Sequence, residues 1–329
     1  MTEPKPVWKR WHDEADPIRV GISSCLLGNQ VRHDGGHKHD RYLTDVLGPW
    51  FEWVPVCPEV EIGLGTPRPT IRLETADPRP RLVMPSTGDD LTQRMEDWSA
   101  ARLSELRRHE LDGFVLKKGS PSCGMERVRA YSSGGQPARN GVGVFARSLM
   151  AQWPTLPVEE EGRLNDPALR EGFIERVFCR HRWRGLLRRG GRRGELVAFH
   201  TAHKMIIRAH NEAGYRRLGR LVAAAGTMSD DRLLEAYERE LFGSLSHRAT
   251  PKRHANVLYH ALGYLKREID AVDKREAVEV IEDYRNGLVP LVVPVTLLRH
   301  HVRRHPVPYL AGQLYLEPHP KELMLRNRV

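Results

Sequence analysis

The sequence predicts an α/β domain with a mainly parallel, Rossmann-like sheet, followed by a mostly α-helical domain. Over residues 18–148, short apolar runs alternate with helical patterns, as βαβ units require. From residue 166 onward, apolar residues recur at helical spacing, with arginine and histidine between them. Residues 153–162 contain two prolines followed by three acids, which is typical of a linker. We therefore place the two domains at residues 1–155 and 156–329.

Three segments of the first domain begin with an apolar run and predict buried strands. They lie at residues 18–25, 51–57 and 113–123, and each leads into a cysteine. Residues 91–110 predict an amphipathic helix, and the third strand follows it directly, as in a βαβ unit. Residues 142–153 predict the last helix of this domain. Because parallel strands end at one edge of their sheet, we expect the three cysteines to converge there.

The net charge of +10 is unevenly distributed along the chain. Residues 1–156 carry about +1, and residues 157–329 carry about +9. Such an excess of positive charge in one half predicts a polyanionic partner, most often a nucleic acid. A basic surface without a specialised partner is the alternative.

The sequence also predicts the cellular compartment of the protein. No stretch of 18 or more apolar residues occurs, so we expect no membrane span. The first eight residues lack the apolar core of a secretory signal, so we expect a cytoplasmic protein. In such a compartment, four cysteines favour metal binding or catalysis over disulfide bonds. No G-x-G-x-x-G motif follows the first strand, so no nicotinamide or flavin nucleotide is predicted.

Cys25, Cys57 and Cys123 are the candidate ligands of an iron–sulfur cluster. Small residues, proline and glycine surround each of them, which lets the backbone approach a bulky inorganic group closely. Three thiolates without a fourth leave one iron of such a cluster free. Zinc sites usually show paired spacing such as C-x-x-C, which is absent here. The alternative is three buried and inert cysteines.

Glu59 and Ser120 are the candidate catalytic residues. Glu59 follows Cys57 by two residues, so it should face the same sheet edge and could act as a general base that activates water. Ser120 precedes Cys123 by three residues in a tight Ser-Pro-Ser turn and could donate a proton to a leaving group. The alternatives are a carboxylate that caps the next helix and a turn hydroxyl bonded to the backbone.

Residues 176–193 hold eight arginines, with aromatic residues and a glycine pair among them. Arginine guanidinium groups bind phosphates, and neighbouring aromatic rings can stack with unstacked bases. Two histidines and a lysine lie near one another on the following helix. The residues that we predict to contact nucleic acid are Arg180, Arg182, Arg184, Arg188, Arg189, Arg192, Arg193, His200, His203 and Lys204. The alternatives are a solvated basic helix and histidines that form hydrogen bonds in the core.

Three separated motifs in the first domain resemble the thiouracil desulfidase family. They are Ser-Cys-Leu-Leu-Gly with Val-Arg-His-Asp-Gly, then Pro-Val-Cys-Pro-Glu, then Leu-Lys-Lys-Gly-Ser-Pro-Ser-Cys-Gly, within roughly residues 18–150. The resemblance implies that Cys25, Cys57 and Cys123 hold a 4Fe–4S cluster, whose fourth iron takes up the sulfur of the substrate. It also implies that Glu59 and Ser120 are the catalytic glutamate and serine.

The second domain resembles a domain family of unknown function (DUF1722), through residues 197–204, 284–298 and 309–323. The two-domain arrangement is similar to that of desulfidases that convert 4-thiouridine in tRNA to uridine. This resemblance implies that the basic half binds tRNA and that the thiolated base leaves its stack to reach the cluster. The alternatives are a desulfidase of free thiouracil, a non-catalytic iron–sulfur sensor that binds nucleic acid, and a zinc-dependent hydrolase of nucleic acid.

Overall fold

The computed structural model describes residues 6–13, 15–76, 79–132 and 136–328. The chain divides into two compact units. The sheet unit runs from Pro17 to Asn165, and the helical unit contains the residues up to Asp16 and those from Asp166 onward. The predicted order, an α/β region followed by a mostly helical region, is confirmed.

The described part of the sheet unit contains nine strands in two sheets. The strands are β1 (Ile18–Ser23), β2 (Phe51–Val56), β3 (Arg72–Glu74), β4 (Arg81–Met84), β5 (Asp89–Asp90), β6 (Gly113–Leu116), β7 (Val128–Tyr131), β8 (Pro137–Gly141) and β9 (Val158–Glu160). The first sheet has the order β2-β1-β6-β9, and all of its neighbours pair in parallel. Its carboxyl ends therefore lie at one edge, as the sequence predicts.

The second sheet was not visible in the sequence pattern. It has the order β5-β4-β3-β7-β8, with β3 and β7 parallel and the other neighbours antiparallel. These strands are two to five residues long and rich in charged residues, so they lack the apolar runs that identify buried strands.

Three α-helices complete the sheet unit: α1 (Pro58–Glu61), α2 (Thr92–Leu106) and α3 (Val144–Gln152). The predicted helix over residues 91–110 is thus confirmed, although its last turn is a 3₁₀ helix. The rings of Phe114 and Phe145 pack 5.7 Å apart between sheet and helix. A Cβ at Gly21 would lie 2.3 Å from the Phe114 ring, so the close approach of β1 and β6 here requires glycine.

The segment predicted as a linker belongs to the sheet unit. Residues 158–160 form the edge strand β9, which pairs with β6. Glu159 and Glu160 are each 3% exposed. The carboxylate of Glu160 accepts a hydrogen bond from the backbone N–H of Met125 at 2.8 Å, and that of Glu159 binds Arg163. The acidic run is therefore anchored within the unit, and the units divide after residue 165 instead of after 155.

The helical unit contains eight α-helices among its described residues. They are α4 (Pro167–Arg188), α5 (Arg193–His210), α6 (Glu212–Ala223), α7 (Asp230–Leu245), α8 (Pro251–Leu265), α9 (Ala271–Arg285), α10 (Val292–Arg304) and α11 (Pro308–Ala311). The Asp166 side chain caps α4 by accepting hydrogen bonds from two backbone N–H groups. Trp183 and Tyr237 stack with ring centroids 5.3 Å apart in the core. None of the helices in the described part of the chain has the length and apolar character needed to cross a membrane.

Candidate active site

A cavity of about 370 Å³ opens at the carboxyl edge of the first sheet. The three predicted cluster ligands and both predicted catalytic residues line it, and the structure therefore brings all five together. They are Cys25, Cys57, Glu59, Ser120 and Cys123. Residues up to 98 positions apart in sequence meet here because three parallel strands end at this edge.

Each cysteine is placed by the end of a strand. Ser23 and Val56 are the last residues of β1 and β2 and lie opposite each other in the ladder. Cys25 follows β1 in a short 3₁₀ helix, and Cys57 follows β2 and precedes the first residue of α1. Cys123 lies farther from its strand, in a turn whose carbonyl groups accept hydrogen bonds from backbone N–H groups at the start of α3. Each thiol is thus held by rigid elements, not by a free loop.

Cys25 and Cys123 are buried and Cys57 is half-buried, and the three thiols are close enough to affect one another electrostatically. Burial raises the pKa of Cys25 to about 11 and raises the pKa of Cys57 as well. The pKa of Cys123 is raised well above its usual value, first by burial and further by the charges of Glu59 and the other two cysteines. The cavity thus favours neutral thiols unless positive charge is bound among them. A metal centre supplies such charge and deprotonates its cysteine ligands.

Glu59 has a separate set of partners on each carboxylate oxygen. Oε2 accepts hydrogen bonds from the guanidinium of Arg68, with Nε at 3.1 Å, and forms an ion pair with it. Oε1 accepts from the hydroxyl groups of Ser122 at 3.1 Å and Ser120 at 3.4 Å. Glu59 does not cap α1 with its side chain, since the carboxylate is committed to these contacts. One oxygen is therefore fixed by a cation, and the other faces hydroxyl groups.

Ser120 is held by the backbone that follows it. Its Oγ accepts hydrogen bonds from the N–H groups of Ser122 at 3.2 Å and Cys123 at 3.1 Å. With its acceptor positions used in this way, the hydroxyl proton is directed at Glu59. The two interpretations of Ser120 are therefore compatible. Its hydroxyl group is bonded to the backbone of the turn and also contacts Glu59, the candidate base.

Arg68 and Ser122 are the residues of this site that the sequence analysis missed. Arg68 lies between two prolines in the turn after α1, and its side chain is 2% exposed. Ser122 is fully buried beside Cys123. A signal did exist for the arginine, because a buried carboxylate at Glu59 requires a cationic or hydrogen-bonding partner. The sequence could not say which of many arginines meets it.

Residues 31–38 form a loop over one side of the cavity. Arg32, His33 and Lys38 from this loop line the opening, together with Lys117 and Lys118 from the end of β6. Lys117 forms an ion pair with Glu161, which fixes it against the sheet. The opening is thus lined with basic groups, while the deeper wall contains the thiols.

The residues that line the cavity fit an iron–sulfur cluster. Three cysteine thiols line it, and cysteine thiolates are the usual ligands of such clusters. Within the described ranges, no group of three or more His, Cys, Asp or Glu side chains forms a site for a metal ion. Cys179 belongs to the helical unit, where it is fully buried.

Three of the residues predicted to contact nucleic acid lie in the core of the helical unit, which corrects that prediction. Arg182 is 2% exposed, and its guanidinium donates to a backbone carbonyl. His200 forms a hydrogen bond with the Tyr237 hydroxyl at 3.0 Å, and His203 with the carbonyl of Phe199 at 2.8 Å. Burial lowers the pKa of His200 to about 4 and that of His203 to about 3, so both imidazoles are neutral core groups.

The other predicted contacts lie in ion pairs of the helical unit, at exposed positions, or both, since the exposed Arg188, Arg189 and Arg193 pair with Asp16, Glu195 and Asp230. Arg180 pairs with Glu238 at 3.1 Å, and Arg184 pairs with Asp16 at 2.8 Å, where it holds the N-terminal segment against α4. Lys204 is partly exposed on α5. The exposed members surround the turn between α4 and α5 and are Arg188, Arg189, Arg192 and Arg193. Their contact with nucleic acid stays a prediction.

Comparison with known proteins yields matches on both halves of the chain. The 2-thiouracil desulfurase family model matches residues 20–161, and the model of a family of unknown function, DUF1722, matches residues 204–320. The uncharacterized protein YbgA of Escherichia coli (strain K12) is 33% identical over 158 residues, which cover 48% of this chain and 94% of YbgA. These matches confirm the two resemblances inferred from the motifs.

Two further relatives match about half of this chain. The uncharacterized protein YbbK of Bacillus subtilis (strain 168) is 27% identical over 150 residues, which cover 44% of this chain and 97% of YbbK. A solved structure of a 4Fe–4S-dependent thiouracil desulfidase, TudS, is 31% identical and covers 46% of this chain and 97% of its own, with a TM-score of 0.36.

Proposed function

The chain belongs to the 2-thiouracil desulfurase family and carries a second, DUF1722 domain, and from this premise we propose that it removes sulfur from 4-thiouridine in tRNA to give uridine. The observation that carries the proposal is the cavity on which three thiols, a carboxylate and a serine hydroxyl converge. Hydrolysis of C=S to C=O is redox-neutral: one water enters and one hydrogen sulfide leaves. It requires a soft acceptor for sulfur, a base and a proton donor.

Cys25, Cys57 and Cys123 would hold a 4Fe–4S cluster. The iron that lacks a cysteine ligand supplies a Lewis acid for sulfur when the cluster is bound. Cys25 and Cys123 are buried, so their part of the cavity is shielded from bulk water, which strengthens the electrostatic contacts within it. All four cysteines of the chain are free thiols, and we propose the cytoplasm as the compartment in which this chemistry operates.

Glu59 would take the proton of the water that attacks the thiocarbonyl carbon. Oε1 is the oxygen for this step, because Oε2 is bound to the Arg68 guanidinium. Ser120 shares a hydrogen bond with Oε1 and is fixed by two backbone N–H groups. Ser120 also lines the cavity, so it is the candidate to donate its proton to the departing sulfur or the ring nitrogen, with Glu59 then returning a proton to its hydroxyl group. A positioned acid–base pair of this kind contributes about 10²–10⁴-fold to the rate.

The size of the cavity supports a single thiolated base as the reacting group. Its volume of about 370 Å³ lies at the small end of ligand pockets, which span about 300–1,000 Å³. A base that is stacked or paired within RNA cannot insert into such a cavity, so the nucleotide must be extruded. This requirement favours unpaired positions of a folded RNA as substrate sites.

The charge distribution supports tRNA as the carrier of that base. Residues 157–329 hold nearly all of the excess positive charge. Four arginines at the turn between α4 and α5 are exposed, although Arg188 pairs with Asp16, Arg189 with Glu195 and Arg193 with Asp230: Arg188, Arg189, Arg192 and Arg193. Arginine on an exposed turn suits phosphate contacts, which depend on salt through counterion release.

The test uses the full chain, purified without oxygen and with its cluster reconstituted. We would incubate it with tRNA that contains 4-thiouridine and, separately, with free 4-thiouracil, and measure uridine, uracil and sulfide. Turnover of tRNA with little turnover of the free base supports the proposal. A preference for the free base overturns the assignment of tRNA as substrate.

A desulfidase of free thiouracil is the second candidate. It is favoured by the activity named for the TudS relative, which the chain resembles at 31% identity. A sensor that binds nucleic acid without catalysis is the third. It would be supported by lack of turnover of both substrates in protein with a verified cluster, together with salt-dependent binding of tRNA.

A further inference from the structure

Arg68 is a buried cation beside the candidate base. Its backbone belongs to no strand or helix, yet its side chain is 2% exposed. The guanidinium bridges Glu59 and backbone carbonyls of two different loops: Nη1 donates to Gly65 at 2.8 Å, and Nη2 donates to Val31 at 2.9 Å. A long charged side chain is rarely buried this fully unless it is paired.

The donors of this guanidinium are all in use. Nε and Nη2 reach Oε2 of Glu59, Nη1 reaches the Gly65 carbonyl and the Thr66 hydroxyl, and the second N–H of Nη2 reaches the Val31 carbonyl. An arginine has five N–H donors, so none is left over for a substrate. Arg68 lines the cavity, but its N–H groups are all donated to the protein around it.

The Arg68 contacts also tie the loop over the cavity to Glu59. The backbone N–H of Arg68 donates to the carbonyl of His33 at 2.9 Å, and its side chain bonds the carbonyl of Val31. The same Val31 oxygen accepts the thiol of Cys57 at 3.8 Å. One residue thus connects the base, a cluster ligand and the loop at the opening.

We propose that Arg68 is the positioning residue of this site. It holds Oε2 of Glu59, which leaves Oε1 turned towards Ser120 and Ser122, and it fixes the loop that begins at Val31. The proposal rests on the proposed desulfidase function. Positioning of a base within a fraction of an ångström decides its contribution, since a displacement of about 1 Å can cost about 10²-fold in rate.

Two variants distinguish the role of the branched guanidinium hydrogen bonds of Arg68 from the role of its positive charge. Arg68→Met removes both, and Arg68→Lys keeps the charge but cannot bind Glu59, Val31 and Gly65 at once. Arg72→Met is the matched control, because Arg72 lies four residues later, pairs with Glu74 and is 41% exposed. Iron content and the absorption spectrum of each reconstituted variant show whether the cluster is still held.

The kinetic result expected for Arg68→Met is a loss of kcat of about 10²-fold with KM changed by less than about threefold and iron content unchanged. Arg68→Lys should lose about tenfold, and Arg72→Met should match the wild type. A rise in KM with unchanged kcat would overturn the proposal, because it would mean direct contact with substrate. Full activity in Arg68→Lys would also overturn it.

A double variant shows whether Arg68 acts through Glu59. If it does, Arg68→Met adds almost nothing to the loss already caused by Glu59→Gln, because residues that act as a unit are non-additive. Losses that multiply would refute a positioning role. This comparison is made with whichever thiolated substrate the wild type converts.

Hydrogen exchange gives a readout that does not depend on activity. Because the Arg68 side chain holds the carbonyl of Val31, amides of residues 29–38 should exchange at least about tenfold faster in Arg68→Met and at the wild-type rate in Arg72→Met. Equal rates in all three proteins would refute the loop contact. If the wild type converts no thiolated substrate, the proposed function fails, whereas faster exchange in Arg68→Met still supports the positioning of this loop.

Discussion

Gly143 directly precedes α3 and packs against the turn that carries Cys123. A Cβ at this position would lie 2.5 Å from the carbonyl oxygen of Ser122 and 2.9 Å from the N–H nitrogen of Cys123. Both neighbours are backbone atoms in a buried turn and cannot move aside as a flexible side chain can. To reach ordinary contact at 3.4 Å, Gly143→Ala must displace the turn by about 0.9 Å.

The cost of this displacement can be worked from the packing. Overfilling of a close-packed site costs about 1–3 kcal/mol. For a folding unit of about 150–250 residues, each kcal/mol lowers Tm by about 2–4 °C, so Gly143→Ala should lower it by about 2–12 °C. The same shift moves the Cys123 thiol relative to the other two ligands, so iron bound after reconstitution should fall to less than about half.

The assay measures Tm of the cluster-free protein and then iron per chain after anaerobic reconstitution. Gly172→Ala is the control, since a Cβ there has no neighbour within 4 Å and the residue lies inside α4. In a helix, this change should leave Tm equal or slightly higher. A Gly143→Ala protein with wild-type Tm and full iron content would refute the claim that the backbone of α3 fixes the turn.

Three other outcomes follow from the site and the helical unit. Glu59→Gln should lower kcat by about 10²–10⁴-fold while iron content and tRNA binding stay unchanged, as measured by single-turnover kinetics and filter binding. Burial lowers the pKa of His203 and of His254 to about 3, so the unfolded chain takes up these protons below pH 6.5 and the folded chain does not. The free energy of unfolding should therefore be greatest above pH 6.5, and these two imidazoles alone should lower it by about 2.5 kcal/mol between pH 7 and pH 5.5, which the urea midpoint would show. Arg192→Gln should weaken tRNA binding and reduce the salt slope by about 1, whereas a slope equal to that of the wild type would exclude a phosphate contact at this position.

The three cysteines were predictable because strand ends carry positional information. A buried apolar run that stops at a cysteine places the thiol at the sheet edge, and parallel pairing brings the edges together. Glu59 was predictable for the same reason, since only two residues separate it from Cys57. Each inference uses local sequence plus one rule of topology, and the structure satisfies that rule.

Arg68 and the second sheet were not predictable in this way. Arg68 lies nine residues after Glu59, and the segment that leads to it from the end of α1 forms no regular element, so no periodicity encodes the contact. The strands of the second sheet are short and partly exposed. The two halves of this sheet join where β3 pairs in parallel with β7, although these strands are more than 50 residues apart in the sequence. Such pairing depends on tertiary structure and leaves a weak local signal.

The arginine-rich segment shows why the number of charged residues in a sequence overestimates the number that can bind a partner. Residues 176–193 lie mostly on α4, and a helix of this length presents a side chain to the interior on every turn. Arg184 meets Asp16, which lies 168 residues earlier, and Arg182 bonds a carbonyl 136 residues later. Partners at such distances cannot be read from the run itself, so the sequence could not separate buried arginines from exposed ones.

The acidic run after residue 157 illustrates the opposite error, in which charge was taken as a sign of solvent exposure. Glu160 accepts the N–H of Met125, and Glu161 binds both the Lys117 side chain and the N–H of Lys118 at 2.6 Å. These two acids therefore hold the start and the end of the segment that carries Ser120 and Cys123. A catalytic unit that ended at residue 155 would lose β9 and both anchors, and β6 would become an unpaired edge. The match of the family model through residue 161 includes these anchors, so the working unit extends past the point where composition alone suggests a boundary.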